Sequence, residues 1–439
     1  MPVADGFYNS LKALKTSDVE SLEASTAYAS FSEDYEHIIE ICSNGDRIPQ
    51  ITLIKSQEIL MKIKPGVSDL NSLTANHYLN AGLTGVQHFH LLLSALISDI
   101  NNTNIVEVNA VFATILYKGH GKDKNSDRSY RTISICPLLA KALDLYVREL
   151  NLTKWNQNQD EVQFMGEGSS HELAGLLLTE AAQFSLFTDK VPMFALFLDV
   201  RSAFDSVERK ILINKLFHCG TTGEDLLFID NRLGARTTFV EWDKVLMGPI
   251  EDQLGVEQGG INSGEYYKIF GKEQLSCAQA SKLGVSLWDQ NVAAIGQADD
   301  TVIISNSLHS LQNLLGLTLA FCSKHQIKLC VEKTKLIAIS TPAMSISVDY
   351  SKLTSPVNIH SNRVPFSTTV EHVGILRSEA GNLPHILSRL KAHQRALGQV
   401  LFTGAACHHR GNPAASLRVE KGLHSVSLPS LVVAFLVLL

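Results

Sequence analysis

The chain has 439 residues, 45% hydrophobic and 19% charged, with 28 Gly and 12 Pro. That size has room for roughly two to four globular units, and the composition excludes a largely disordered, collagen-like or low-complexity chain. Lys and Arg number 38 against 44 Asp and Glu, a net charge of −6 that speaks, taken globally, against a nucleic-acid binder.

In chain order, residues 1–110 read as helices and loops. Residues 51–62 have mixed periodicity, whereas residues 88–100 set Leu93, Leu96, Ile97 and Ile100 on one helical face. Residues 111–117 form a β-rich apolar run, followed by a loop rich in Lys and Arg. Helical spacing returns over residues 136–150. Ser169-Ser170-His171-Glu172 matches a capping box, and the helix it opens puts Leu173, Leu176, Leu177, Ala181 and Phe184 on one stripe.

Residues 191–198 read as a buried strand that stops at Asp199, and a helix follows with Val207, Ile211, Leu212, Ile213 and Leu216 as its apolar positions. Residues 292–305 have the pattern of a β-hairpin with Asp299 and Asp300 at its turn. An amphipathic helix over 308–322 precedes two short strands expected on either side of Glu332-Lys333-Thr334-Lys335. Strands alternating with helices around a hairpin indicate an α+β core.

The acidic excess is local. Residues 1–60 carry 4 basic and 10 acidic side chains, and the remainder balances at 34 of each. Basic residues gather at Lys118, Lys122, Lys124, Arg128 and Arg131, and again over 381–421. The N-terminal 60 residues are therefore not expected to touch nucleic acid. The seven cysteines are scattered without a C-x-x-C pair, as expected of a reduced intracellular protein. His88-Phe89-His90 and Cys407-His408-His409 lack spaced ligand partners, so neither reads as a metal site. No signal peptide is read at the start. Residues 431–439 are all apolar, about half the length of a membrane span, and suggest a fragment of a longer chain.

A single acidic strand end is ordinary, because Asp often terminates strands and caps helices. Asp199 and Asp299-Asp300 both end apolar strands, however. If those strands are neighbours, three carboxylates meet at one sheet edge and need cations to neutralise them. Hard divalent ions with oxygen ligands, typically Mg²⁺, suit such a site. Two ions about 3.5–4 Å apart can clamp an in-line phosphoryl displacement.

The surrounding motifs resemble those of reverse transcriptases. Leu198-Asp199-Val200-Arg201-Ser202-Ala203-Phe204-Asp205-Ser206-Val207 is similar to L-D-x-x-x-A-F-D-x-V. Gly255-Val256-Glu257-Gln258-Gly259-Gly260-Ile261-Asn262-Ser263-Gly264 resembles the motif Q-G-x-x-x-S-P with its flank, and Ala298-Asp299-Asp300 the A-D-D core. Lys118-Gly119-His120-Gly121-Lys122-Asp123 with Ser129-Tyr130-Arg131-Thr132-Ile133-Ser134 resembles the fingers motif, and Gln163-Phe164-Met165-Gly166 stands near its Q-x-G-F-R. The variety resembled is the non-LTR, LINE-like retrotransposon enzyme.

The resemblance implies a right-hand polymerase, with a central antiparallel palm sheet flanked by helices and a truncated thumb. Its parts would be a helical extension at 1–110, fingers at 111–190, palm at 191–345 with part of the fingers inserted at about 212–250, and palm end plus thumb at 346–439. It implies an RNA template, a DNA primer and dNTPs as partners, and no membrane. Asp199, Asp299 and Asp300 would bind two Mg²⁺ ions, with Mn²⁺ able to substitute.

Phe204 would stand under the sugar and exclude a ribose 2′-OH. Gln258 and Gly259 would admit backbone close to the nucleotide, Arg131 would neutralise the triphosphate, and Lys333 would donate a proton to pyrophosphate. Lys118 is a weaker phosphate candidate. Gly264, Gln297 and Thr132 depart from the usual Pro, aromatic residue and Pro. Those departures leave open a catalytically decayed nucleic-acid-binding remnant. A viral RNA-dependent RNA polymerase shares the palm, but Phe204 and its A-F-D context count against it.

Overall fold

The computed structural model describes residues 2–16, 26–64, 69, 72–99, 106–119, 121–126, 129–166, 169–234, 236–243, 245–340, 357–359, 361–373 and 375–378. The basic run at 381–421, Cys407-His408-His409, residues 431–439, His120 and Arg128 lie outside them. The chain divides into two units: Met1–Asp160 with Val200–Glu273 and Ala320–Lys328, and Glu161–Asp199 with Gln274–Leu319 and Leu329–Leu439.

The first unit opens with helices α1 (Pro2–Thr16), α2 (Thr26–Ser43), α3 (Leu53–Lys62), α4 (Ala75–Asn80), α5 (Gly82–Ser98) and α6 (Val106–Asn109). Its sheet holds β1 (Ala110–Tyr117), β2 (Tyr130–Ile135), β4 (Thr237–Trp242) and β5 (Val245–Glu251) in the order β2-β1-β4-β5. The β1–β4 pair is parallel and the others are antiparallel. Phe7 and Leu11 of α1 pack on Ala113, Val240 and Ile250 of this sheet. Helices α7 (Leu138–Gln157), α9 (Arg209–His218), α10 (Gly223–Gly234) and the first part of α11 (Ser263–Ala280) also belong to it. At its centre Arg236 and Asp252 are both buried and pair at 2.5 Å.

The second unit holds a short hairpin of β6 (Val285–Leu287) and β7 (Gln290–Val292) and is built on a four-stranded antiparallel sheet, ordered β10 (Lys335–Ile339), β3 (Met193–Leu198), β9 (Asp300–Ser305) and β8 (Ala294–Gln297). Alternate residues of β3 serve two different cores. Phe194, Leu196 and Leu198 join one with Leu311, Leu314 and Leu315 of α12 (Leu308–Lys324). Met193, Ala195 and Phe197 join the other with Ala174, Leu178 and Ala181 of α8 (His171–Gln183). Covering both faces is why the strand reads as an unbroken apolar run rather than an alternating one. Each large side chain so buried contributes about 1.5–3 kcal/mol.

Two expectations are corrected. Leu173 and Leu176, read as core positions of α8, are 42% and 37% exposed, and the helix instead buries Ala174, Gly175, Leu178 and Ala182. Small residues let the helix lie close: a Cβ on Gly175 would come within 2.6 Å of Ile375. Of the two strands expected around Glu332–Lys335, the second forms as β10, while the chain before it makes an isolated bridge at Leu329 and then a turn. The described cysteines are free. No described helix is long and apolar enough to cross a membrane.

Candidate active site

The carboxylates sit at one edge of the second unit's sheet. β3 and β9 run antiparallel with Leu198 opposite Thr301, so the next positions outward are Asp199 and Asp300. β8 and β9 close a hairpin at the pair Gln297–Asp300, leaving Ala298 and Asp299 at the tip. Ala298 adopts φ +57°, a left-handed conformation that disfavours a residue with a Cβ. The Asp199 carbonyl accepts from the Cys330 N–H at 2.7 Å, which fixes the strand end.

The three side chains feel one another's charge. Desolvation, and then the Asp199 charge, raise Asp299 above the ordinary carboxylate range despite its own backbone N–H. Desolvation, Asp299 and Asp199 push Asp300 up to about 6. Lys333 acts in the opposite sense on both, and its Nζ donates to Asp199 Oδ1 at 3.1 Å and Oδ2 at 3.3 Å. The sequence-expected acids and Lys333 are therefore brought together.

The other expected residues belong to the first unit. The Phe204 ring stacks on Tyr267, with centroids 5.0 Å apart and planes at 24°. The Phe204 carbonyl accepts from the Val256 N–H at 2.8 Å. The Gln258 carbonyl accepts from Ser134 N–H at 2.8 Å, which ties that loop to β2. Gly259 has φ +103°, and a Cβ there would lie 3.3 Å from both Ile133 and the Ser134 carbonyl. The positive φ favours glycine, and a Cβ would make a tight contact besides. Arg131 is exposed on β2 opposite Leu116. The Lys118 N–H donates to the Ser129 carbonyl at 2.8 Å, closing the ends of the basic loop.

A family profile for reverse transcriptase (RNA-dependent DNA polymerase) matches residues 122–372, more than half of the chain. The chain belongs to the reverse transcriptase family. No curated protein matches it. A reverse transcriptase domain implies the polymerase palm fold, with which the mixed helices and antiparallel sheets are consistent, and the use of RNA template, DNA primer and dNTPs. Its chemistry is nucleotidyl transfer by an RNA-directed DNA polymerase.

Reverse transcriptases generally use divalent metal ions. The donors here fit that class: they are carboxylate oxygens only, held at one edge, with mutual repulsion that a cation would relieve. They are not gathered into a ready-made cluster. Among the described residues, no three His, Cys, Asp or Glu side chains are grouped so as to hold a metal ion.

Gln163 is a residue whose role the sequence did not reveal. Its Oε1 accepts from the Ala298 N–H at 3.0 Å, while Phe164 N–H donates to the Gly296 carbonyl at 2.8 Å and Gly296 N–H to that of Val162 at 2.9 Å. This buried segment braces the hairpin tip that carries Asp299. The sequence signal was its place in Gln163-Phe164-Met165-Gly166, which resembles a family motif but does not give this role.

Proposed function

We propose that the chain is the RNA-directed DNA polymerase of a non-LTR retroelement, copying the element's RNA into DNA by two-metal nucleotidyl transfer. One observation carries the catalytic part: the β3–β9 register sets Asp199 beside Asp300, with Asp299 in the adjoining turn. The retroelement assignment rests on the order and spacing of the motifs from Lys118 to Lys335. The resemblance divides the chain into extension 1–110, fingers 111–190, palm 191–345 with part of the fingers inserted at about 212–250, and palm end with truncated thumb at 346–439.

Asp199, Asp299 and Asp300 would hold the ions, Mg²⁺ in this reading with Mn²⁺ as a substitute. When bound, such ions acidify a primer 3′-OH and neutralise charge on the triphosphate. The remaining tasks belong to protein side chains. Lys333 donates a proton to the departing pyrophosphate. Arg131, with its forked guanidinium, neutralises the triphosphate. The Phe204 ring, backed by Tyr267, excludes a ribose 2′-OH and so selects deoxynucleotides. Gln258 and Gly259 bring bare backbone to the nucleotide.

Primer extension on an RNA template with Mg²⁺ and dNTPs tests the reading, comparing the natural chain with Asp299→Asn. Extension should be lost in the variant; equal incorporation by both removes Asp299 from the site. A second reading, a catalytically decayed nucleic-acid-binding remnant, is favoured by one observation. Gln297, in place of the family's aromatic residue, has a buried amide oxygen with no hydrogen-bond partner beside the acidic turn. That reading requires salt-sensitive RNA binding without extension under any divalent metal.

A further inference from the structure

The last turn of helix α1 carries a lysine, Lys15, that is only 5% exposed. Lys15 Nζ donates to Asp252 Oδ2 at 2.6 Å and to Thr238 Oγ1 at 3.2 Å. Its own carbonyl accepts from the N–H groups of Gln253 at 3.0 Å and Leu254 at 3.3 Å. These contacts reach across 237 residues of sequence.

The segment that Lys15 grips leaves β5 and runs to Gln258 with few sheet bonds of its own. Two arginines grip it as well. Arg209 donates to the carbonyls of Asp252, Leu254 and Gly255, the last two at 3.1 and 3.2 Å. Arg236 pairs with Asp252 and donates to the Gly255 carbonyl at 3.1 Å. It also lies 3.3 Å from Glu257, which faces Arg232 at 3.4 Å. Backbone carbonyls that a strand ladder would normally satisfy are thus satisfied by buried cations.

Packing alone does not account for an ammonium at this place, because burying one costs free energy that a side chain like Met avoids. The Lys15 charge acts in addition on Asp205, the neighbour of Phe204. One lysine therefore addresses both segments assigned to the nucleotide: the turn after Phe204 and the loop before Gln258. Gly255 lies between them, at φ +86°, where a Cβ would meet the Asp205 backbone at 2.8 Å.

We infer that Lys15 is a positioning residue, supplied by the N-terminal extension, that holds residues 252–257 so that Gln258 and Gly259 present their backbone to the incoming nucleotide. This rests on the polymerase reading of those two residues. It gives the extension a role in nucleotide binding without any contact of its own with nucleic acid.

Steady-state primer extension by the full chain tests it, with Lys15→Met, Lys15→Arg and Thr238→Val. Lys15→Met should raise the KM for dNTP roughly tenfold while kcat stays within about twofold. Lys15→Arg, which keeps the charge, should recover most of the loss. Thr238→Val, which removes only the hydroxyl shared by Lys15 and Asp252, should raise KM less but in the same direction. A folded Lys15→Met variant with unchanged KM, or with only kcat reduced, overturns the inference. If that variant does not fold, an unchanged KM in Thr238→Val overturns it instead. A natural chain that extends nothing overturns the polymerase reading; one that extends normally alongside unaffected variants overturns only the role of Lys15.

Discussion

Lys333 Nζ lies 3.1 Å from one carboxylate oxygen of Asp199 and 3.3 Å from the other. An ammonium so placed occupies the lone pairs a metal ion needs. Lys333 is 67% exposed, so the pair is weakened by solvent and contributes at most about 1 kcal/mol. Removing it should tighten divalent-ion binding by roughly two- to fivefold. A Mn²⁺ titration followed by electron paramagnetic resonance, natural chain against Lys333→Ala, measures this. The same variant should incorporate nucleotide on the order of 10²-fold more slowly, having lost its proton donor. Unchanged Mn²⁺ affinity would show that the lysine and the ion do not compete.

The raised carboxylates set a pH dependence. Asp300 titrates at about 6 in the folded chain and Asp299 is shifted in the same direction, both above their unfolded values. Between roughly pH 4 and 6 the folded state therefore binds more protons than the unfolded state, and this contribution to stability declines as pH rises. Above pH 6 Asp300 is ionised and its charge adds to the repulsion at the sheet edge, so a divalent ion has most to offer. Added Mg²⁺ should raise Tm clearly at pH 7.5 and little at pH 5.5, by differential scanning calorimetry. Equal shifts at both values would place the ion elsewhere.

Gln163→Leu keeps most of the side-chain bulk and removes the acceptor for the Ala298 N–H. The lost bond costs about 1 kcal/mol of stability and lets the Asp299 turn move. We expect kcat to fall roughly tenfold while template–primer affinity stays unchanged, read from single-turnover extension and filter binding. A loss of Tm without a loss of rate would confine Gln163 to folding.

Phe204→Val should open the space claimed for sugar selection. Incorporation of NTP relative to dNTP should rise by at least about tenfold, because a steric exclusion is removed rather than an attraction weakened. The stack on Tyr267 disappears with the ring, at a stability cost of about 1 kcal/mol beyond the lost burial. Competition between GTP and dGTP on one template measures the ratio; an unchanged ratio would assign selection to another group.

Arg236→Met breaks a buried pair and leaves Asp252 and Glu257 short of a counter-charge. A loss of about 3–5 kcal/mol is expected in urea denaturation.

Strong local patterns carried the sequence reading. The apolar run of β3 and the paired acids in the β8–β9 turn were visible because backbone period and burial coincide there. The core face of α8 was misread because a hydrophobic stripe was sought in Leu, whereas close approach to Arg377 and Ile375 demands Ala and Gly. Lys15 leaves almost no local signal, and the motif position of Gln163 does not give its bracing role. Each is a buried polar residue whose partners lie 237 and 135 positions away, so only the folded chain explains them. The mild acidity is equally uninformative, since the whole excess lies in residues 1–60, while acids of the motif-bearing region such as Asp252 and Glu257 are balanced by internal cations.

The register of β3 against β9 has a consequence for synthesis. Asp199 and Asp300 become neighbours through a pairing that spans about a hundred residues, and β3 needs β10 on its other side to be covered. On a ribosome, Asp199 waits for the other two acids until residue 300 has emerged, and β3 stays uncovered on its other side until the chain beyond residue 339 has. Nascent polypeptides shorter than that are expected to be chemically silent, so nucleotide transfer waits on the order in which the sheet's strands are made.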